Sequence, residues 1–119
     1  LAIKKALRIK KKNDFDKIFS ARKSTANKKF VIYQLPSKTT HFRAAISVSK
    51  KLGNAVTRNR VKRLVRHALI PLSDNLSQTD FVIVCRKGVE TLTFDEVQKN
   101  LTHVLKVAKI YQKSEISSV

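Results

Sequence analysis

Residues 47–66 read SVSKKLGNAVTRNRVKRLVR, and two structural periods meet inside them. The first residues close the run Phe42-Arg-Ala-Ala-Ile-Ser-Val-Ser49, whose composition and alternation predict a strand. Leu52-Gly53-Asn54 breaks that pattern. From about Ala55 to Leu69 the period becomes helical, with Val61, Leu64, Val65, Ala68 and Leu69 in one sector. The helix stops before Pro71, whose ring and missing N–H oppose its continuation. Arg58, Asn59, Lys62, Arg63 and Arg66 fill much of the remaining circumference, and Arg58, Lys62 and Arg66 recur at i, i+4 and i+8. Such a helix lays its apolar side on a sheet and projects a row of cations. Downstream, Asp80 to Arg86 is nearly continuous in apolar residues and reads as a buried strand. Strand, basic helix and strand make a β-α-β unit, which implies an α+β fold with a mixed sheet packed by helices.

Working outward, Asn13-Asp14 reads as a helix start, a capping residue followed by an acid that faces the helix dipole. Phe15, Ile18 and Phe19 give that helix an apolar stripe, which fades between residues 20 and 22. Phe30-Val-Ile-Tyr-Gln-Leu35 is strand-like and ends at Pro36. Residues 37–41 read as a turn. Thr93-Phe94-Asp95-Glu96 opens a last helix whose inner face is Leu101, Val104, Leu105 and Ala108. Residues 1–12 are basic and expected to be mobile at their start, and the tail after Tyr111 is polar. With 119 residues and neither repeats nor a long Gly/Pro-rich linker, the chain is expected to form one domain. It starts at Leu1 and contains no Met, which suggests a processed start.

Charge sets the class of partner. Lys and Arg number 26 against 8 Asp and Glu, a net charge of +18. Such an excess repels itself unless a polyanion neutralises it. From Lys17 to Ser73 there is no acid, while 14 Lys or Arg fall in that stretch. An ordinary solvated helix face mixes signs, because opposite charges four residues apart support a helix and like charges oppose it. The face at 58–66 carries one sign only. Phosphate is the fitting counter-charge: arginine's planar fork bonds two oxygens at once, and Asn59 can address sugar hydroxyls or base edges. Lys50 and Lys51 add charge just before the helix. Composition does not separate RNA from DNA, although no helix-turn-helix spacing precedes this helix. A membrane partner is disfavoured, since no apolar run approaches the roughly 20 residues of a span and no secretory signal core is present.

Phe15, Phe19 and Tyr33 form a second constellation. Rings beside basic residues can stack unpaired bases. Read from the residues alone, they fit a hydrophobic core better. Cys85, the one cysteine, lies in the apolar run Phe81-Val-Ile-Val-Cys85, as a small buried residue does, and no disulfide is possible within the chain. A cytoplasmic location follows by default. His41, His67 and His103 are scattered, and Asp14 and Asp16 point to different helix faces, so no catalytic or two-metal cluster is apparent.

The segment Lys50-Lys-Leu-Gly-Asn-Ala-Val-Thr-Arg-Asn-Arg-Val-Lys-Arg63 resembles the signature of the bacterial ribonuclease P protein family, an Arg-Asn-Arg helix after a Gly-Asn-Ala turn. Asn13-Asp14-Phe15 with Ile18-Phe19, Ala26-Asn27 before Phe30, Ile46 to Ser49 and Asp80 to Lys87 extend the likeness over most of the chain. The resemblance implies a fold like the second domain of ribosomal protein S5: a four-stranded mixed sheet with three helices. It also implies a left-handed β-α-β crossover, against the usual rule, and a short strand near residues 24–27 that the pattern does not reveal. It implies a protein component of ribonuclease P, which trims the 5′ leader from precursor tRNA while the RNA subunit carries catalysis. On matching positions, Arg58, Asn59, Arg60, Lys62, Arg63 and Arg66 would contact that RNA subunit. Phe15, Phe19, Tyr33, Ser49, Lys50, Lys51 and Lys87 would line or border a cleft for the leader, which turns the reading of the rings from core to contact. Mg²⁺ would serve the holoenzyme through RNA, with no protein ligand, and no small-molecule substrate or membrane is implied. The rivals are a ribosomal or other structural RNA-binding module, and a protein nuclease acting alone.

Overall fold

The computed structural model describes residues 8–21, 23–37 and 41–112. The start of the basic N-terminal stretch, the middle of the turn at 37–41 and most of the polar tail lie outside them. In chain order the elements are α1 (Lys12–Ser20), β1 (Ser24–Ala26), β2 (Phe30–Pro36), β3 (Arg43–Val48), α2 (Ala55–Leu69), β4 (Thr79–Cys85) and α3 (Phe94–Val107). Short 3-10 helices at Lys50–Leu52, Ile70–Asn75 and Val89–Thr91 join them. The four strands form one mixed sheet in the order β1-β2-β4-β3. β3 and β4 are parallel neighbours, with Val48 opposite Cys85, so α2 is the crossover of a β-α-β unit. β1 and β4 both run antiparallel to β2.

Period-two alternation sorts the strands' side chains between two faces. Phe30 and Ile32 of β2, Phe81, Ile83 and Cys85 of β4, and Ala44 and Val48 of β3 pack in one cluster with Val61, Val65, Ala68 and Leu69 of α2. Val97, Leu101, Val104 and Leu105 of α3 complete that core. Desolvation there pushes the Cys85 thiol up to about 12, as an inert core residue. Gln34 is a buried polar residue on this face: its Nε2 donates to the Ala108 carbonyl at 3.1 Å and fastens the end of α3 to the sheet. The opposite face carries a smaller cluster, in which Val82 is buried beneath Ile18 of α1 and Ile9, with Phe15, Tyr33, Leu35, Ala45 and Val84 packed around it.

One expectation needs correcting. Asn13 does not cap α1; Lys11 holds that position without a side-chain bond, and its carbonyl accepts from the Asp14 and Phe15 amides at 3.1 and 3.2 Å. Asp14 does stand in the first turn. The basic N-terminal stretch is anchored from residue 8 on: Arg8 bridges Ala44, the Ile9 amide donates to the Ala44 carbonyl at 3.1 Å, and the Ile9 side chain is buried. β1 is present where the family resemblance implies it, and it escapes pattern reading because three polar or small residues at a sheet edge carry no period.

The start of α3 is a full capping box. The Thr93 hydroxyl accepts from the Glu96 amide, and the Glu96 carboxylate accepts from the Thr93 amide. Hydrogen bonds from the Thr93 backbone and hydroxyl hold the Glu96 carboxyl below the ordinary carboxylate range. The cap is therefore complete above that range and is lost as pH falls through and below it. Thr93→Ala is expected to cost about 1 kcal/mol, read as a lower thermal midpoint at neutral pH.

Candidate nucleic-acid interface

The basic helix begins on a strained corner. Gly53 has φ of 142°, and a Cβ there would stand 3.0 Å from the Thr57 Cβ and Cγ2, so a side chain is excluded on both counts. Asn54 then caps α2, its Oδ1 accepting from the Thr57 amide at 3.0 Å. The first turn of α2 contains no acid of its own. The cations that follow are not equivalent. Asn59, Arg60 and Arg63 are exposed, whereas Arg58, Lys62 and Arg66 are half-buried. The row expected from i, i+4 spacing therefore lies along the flank of the helix. The Arg58 Nε is buried and has no hydrogen-bond partner among the described residues. Arg60 is committed, its Nη2 donating to the Glu90 carbonyl at 2.6 Å.

On the other side of the sheet, α1 is too short to cover the face. Its 9 residues span about 13 Å at 1.5 Å per residue, while the 7 residues of β2 span about 23 Å. Beyond α1 the floor is the cross-strand row Ser47, Val84, Val31 and Ala26. Ser47 is exposed, and Val31 and Val84 are half-buried. Phe19 and Tyr33 stand where the cover ends, edge to face with ring centroids 4.8 Å apart. Phe19 is 40% exposed, which a core ring would not be. Lys50 and Lys51 are exposed on the 3-10 turn after β3. Ser49 organises that turn, its hydroxyl accepting from the Lys51 amide at 3.3 Å. Lys87 reaches the same edge from the loop after β4, donating to the Lys51 carbonyl at 2.8 Å.

The two surfaces meet. Phe15 is set apart from the Phe19–Tyr33 pair and lines a hollow of about 210 Å³ with Arg8, Ile9, Ala44, Ala45, Ile46, Lys62 and Arg66. Two residues expected at the anchor thus share a pocket with one expected at the cleft. Arg8 and the floor residues Ser47, Val31 and Val84 were not singled out from sequence. The alternation of Val31 with Tyr33 was the one available signal for the floor. Among the described residues no three His, Cys, Asp or Glu side chains lie close enough together to hold a metal ion. His41 precedes β3, while His67 and His103 sit on α2 and α3, so the histidines share no site. No described helix is long and apolar enough to cross a membrane.

A cationic helix flank that runs into an open, aromatic-edged sheet face defines a class: an α+β protein built to hold a polyanionic chain. The comparisons make the class particular. Residues 3–109 match the family described as Ribonuclease P. The ribonuclease P protein component of Lactococcus lactis subsp. lactis is 59% identical over 115 residues, covering 97% of this chain and 98% of that protein. That of Streptococcus thermophilus is 54% identical over 110 residues, covering 92% and 99%. Among solved structures, an RNase P protein of Staphylococcus aureus superposes with a TM-score of 0.84 at 42% identity, covering 91% of this chain and 100% of that one. The RNase P protein of Thermotoga maritima gives 0.77 at 30% identity, covering 84% and 96%. The chain belongs to the ribonuclease P protein family, and its role is that of a protein component of the ribonuclease P holoenzyme.

Proposed function

We propose that this chain anchors to the RNA subunit of ribonuclease P through Arg58, Asn59, Arg60, Lys62, Arg63 and Arg66, and holds the single-stranded 5′ leader of precursor tRNA on the open sheet face. Phe15, Phe19 and Tyr33 stack leader bases there, while Ser49, Lys50, Lys51 and Lys87 border the path of its phosphates. The RNA subunit performs the endonucleolytic cleavage, with Mg²⁺ bound through RNA, and the holoenzyme acts in the cytoplasm. The observation that carries this reading is the continuity of the two surfaces. One helix offers cations on its outer face and, along its flank, leads into a half-covered sheet edged by the exposed Phe19 ring and the half-buried Tyr33. A strand of nucleic acid fits that floor because its bases find apolar and aromatic surface while its phosphates find lysines.

The test is reconstitution with a bacterial ribonuclease P RNA at low Mg²⁺, with rescued 5′ cleavage as the expected result. Cleavage by the protein without RNA would mean a protein nuclease. Co-purification with ribosomes and unaltered tRNA 5′ ends would mean a structural RNA-binding module. Within the reconstituted holoenzyme, Phe19→Ala and Tyr33→Ala are each expected to weaken binding of leader-bearing precursor by roughly 5- to 150-fold, the range of one lost base stack. Mature tRNA binding should hold. An equal loss for both substrates would indicate a folding defect in place of a lost leader contact.

A further inference from the structure

Glu90 is the acid that stands between the two surfaces. It lies on the 3-10 turn Val89–Thr91 that follows β4. Its side chain is 15% exposed; Oε1 accepts from the Gly88 amide at 2.7 Å, and Oε2 lies 3.2 Å from the Lys87 Nζ. Its backbone carbonyl accepts the Arg60 Nη2. The Lys87 ammonium is then shared with the Lys51 carbonyl. One residue therefore joins the loop after β4, the turn after β3 and the first turns of α2. Gly88 makes the geometry possible, because its φ of 111° folds the loop back so that its amide faces the carboxylate. Hydrogen bonds from its own backbone N–H and from Gly88, with Lys87 alongside, hold the carboxyl below the ordinary carboxylate range, so it is ionised at neutral pH.

An acid is a strange choice at a polyanion-binding rim if charge alone mattered, since it repels phosphate. It makes sense as a fixing device. Lys51 and Lys87 share one rim, and two like charges on long, free side chains would otherwise spread apart into solvent. We infer that Glu90 is a positioning residue that clasps Lys87 at the rim of the open sheet face and ties that rim to Arg60 of the anchor helix, so that leader and RNA subunit are held in one register. This rests on the leader and anchor assignments proposed above.

The inference separates from plain electrostatics by the sign of its effect. Glu90→Gln keeps the shape and the bond to Gly88 but removes the charge that holds Lys87. If Glu90 acts only as a repelling charge, its loss tightens binding of every RNA alike. If it positions Lys87, its loss lowers discrimination between leader-bearing precursor and mature tRNA. The experiment uses the holoenzyme reconstituted with bacterial ribonuclease P RNA and measures Kd for both substrates in E90Q, K87A and the double variant, each well below its thermal midpoint. The expected result is a ratio of the two Kd values lowered about threefold in E90Q, the scale of one partly exposed ion pair. K87A should lower it further, and the double variant should match K87A, because without Lys87 there is nothing left for Glu90 to position. An unchanged ratio in E90Q beside a lowered one in K87A overturns the clasp and leaves the leader assignment standing. Full additivity in the double variant also overturns the clasp. An unchanged ratio in K87A removes the rim assignment and the clasp together.

Discussion

Arg58→Ala and Arg63→Ala are each expected to weaken binding to the ribonuclease P RNA subunit by about 10- to 100-fold, the effect of losing one charge-assisted bond of roughly 1.5–3 kcal/mol. The slope of log affinity against log salt should flatten by about 0.7–0.9 for each phosphate contact removed. The two variants test the same surface from different starting points. Arg63 is exposed, so its replacement disturbs no packing. Arg58 is half-buried and carries an Nε with no partner among the described residues. A buried donor without a partner costs the folded state about 1–3 kcal/mol. Arg58→Ala relieves that cost, so it should leave the thermal midpoint unchanged or slightly raised while RNA binding falls. That opposition of signs marks a residue placed for a partner and not for the fold. Unaltered affinity and salt slope in both variants would sink the anchor assignment. Arg60 is a poorer probe, because its bond to the Glu90 carbonyl mixes binding with loop structure.

Asp80→Ala is expected to be the most damaging of these substitutions to stability, at about 2 kcal/mol, with a thermal midpoint lowered by roughly 6–12 °C in a domain of this size. Asp80 is only 6% exposed, at the start of β4. Its register partner on β3 is Arg43. The Arg43 guanidinium forks onto both carboxylate oxygens, with Nε 3.0 Å from Oδ1 and Nη2 bonded to Oδ2. Arg43 also reaches Asp14 of α1 at 3.5 Å. The side-chain bond to Asp80 is the main reason its guanidinium holds its proton more tightly than usual. Removing one member of a fully buried pair costs about 3–5 kcal/mol, because the other charge is stranded. Arg43 keeps partial access to water, which lowers the figure here. Asp14→Ala should cost less than about 1 kcal/mol, since that contact is longer and more exposed. Equal midpoints for Asp80→Ala and the native chain, measured by thermal unfolding, would show that the fork contributes little.

Much of this molecule is legible residue by residue. The change from alternation to helical period across 47–66 placed β3, α2 and the corner between them within a residue or two, because each element is long enough to repeat its period. The apolar run at 80–86 and the helix start at Thr93-Phe94-Asp95-Glu96 did the same for β4 and α3. Failures fell where no period could build up. β1 is three residues long, and the cap of α1 is a lysine backbone with no side-chain signal. Pro71 did end α2, but the chain continues as a 3-10 helix through Asn75, since proline is tolerated in the first turn of a new helix. Among the candidate site residues, spacing showed that Arg58 to Arg66 share a surface. It did not show that Arg60 is already bonded, that Arg58 is half-buried or that Lys62 and Arg66 face Phe15.

The sequence by itself determined the sign of the surface charge and the elements that carry it. A 57-residue stretch without an acid and a one-signed helix face are properties of composition and local period, which no tertiary arrangement can reverse. Whether the Phe19 and Tyr33 rings are sealed inside or left at the margin of the α1 cover was decided only by tertiary structure. That answer depends on how far a nine-residue helix reaches across a seven-residue strand, and on the burial of Ile18 against Val82 that seats the helix. Pairing partners such as Glu90 with Arg60, 30 residues apart, belong to the same category. They arise from how the sheet and α2 pack, which sets separations in space that separations along the chain do not encode.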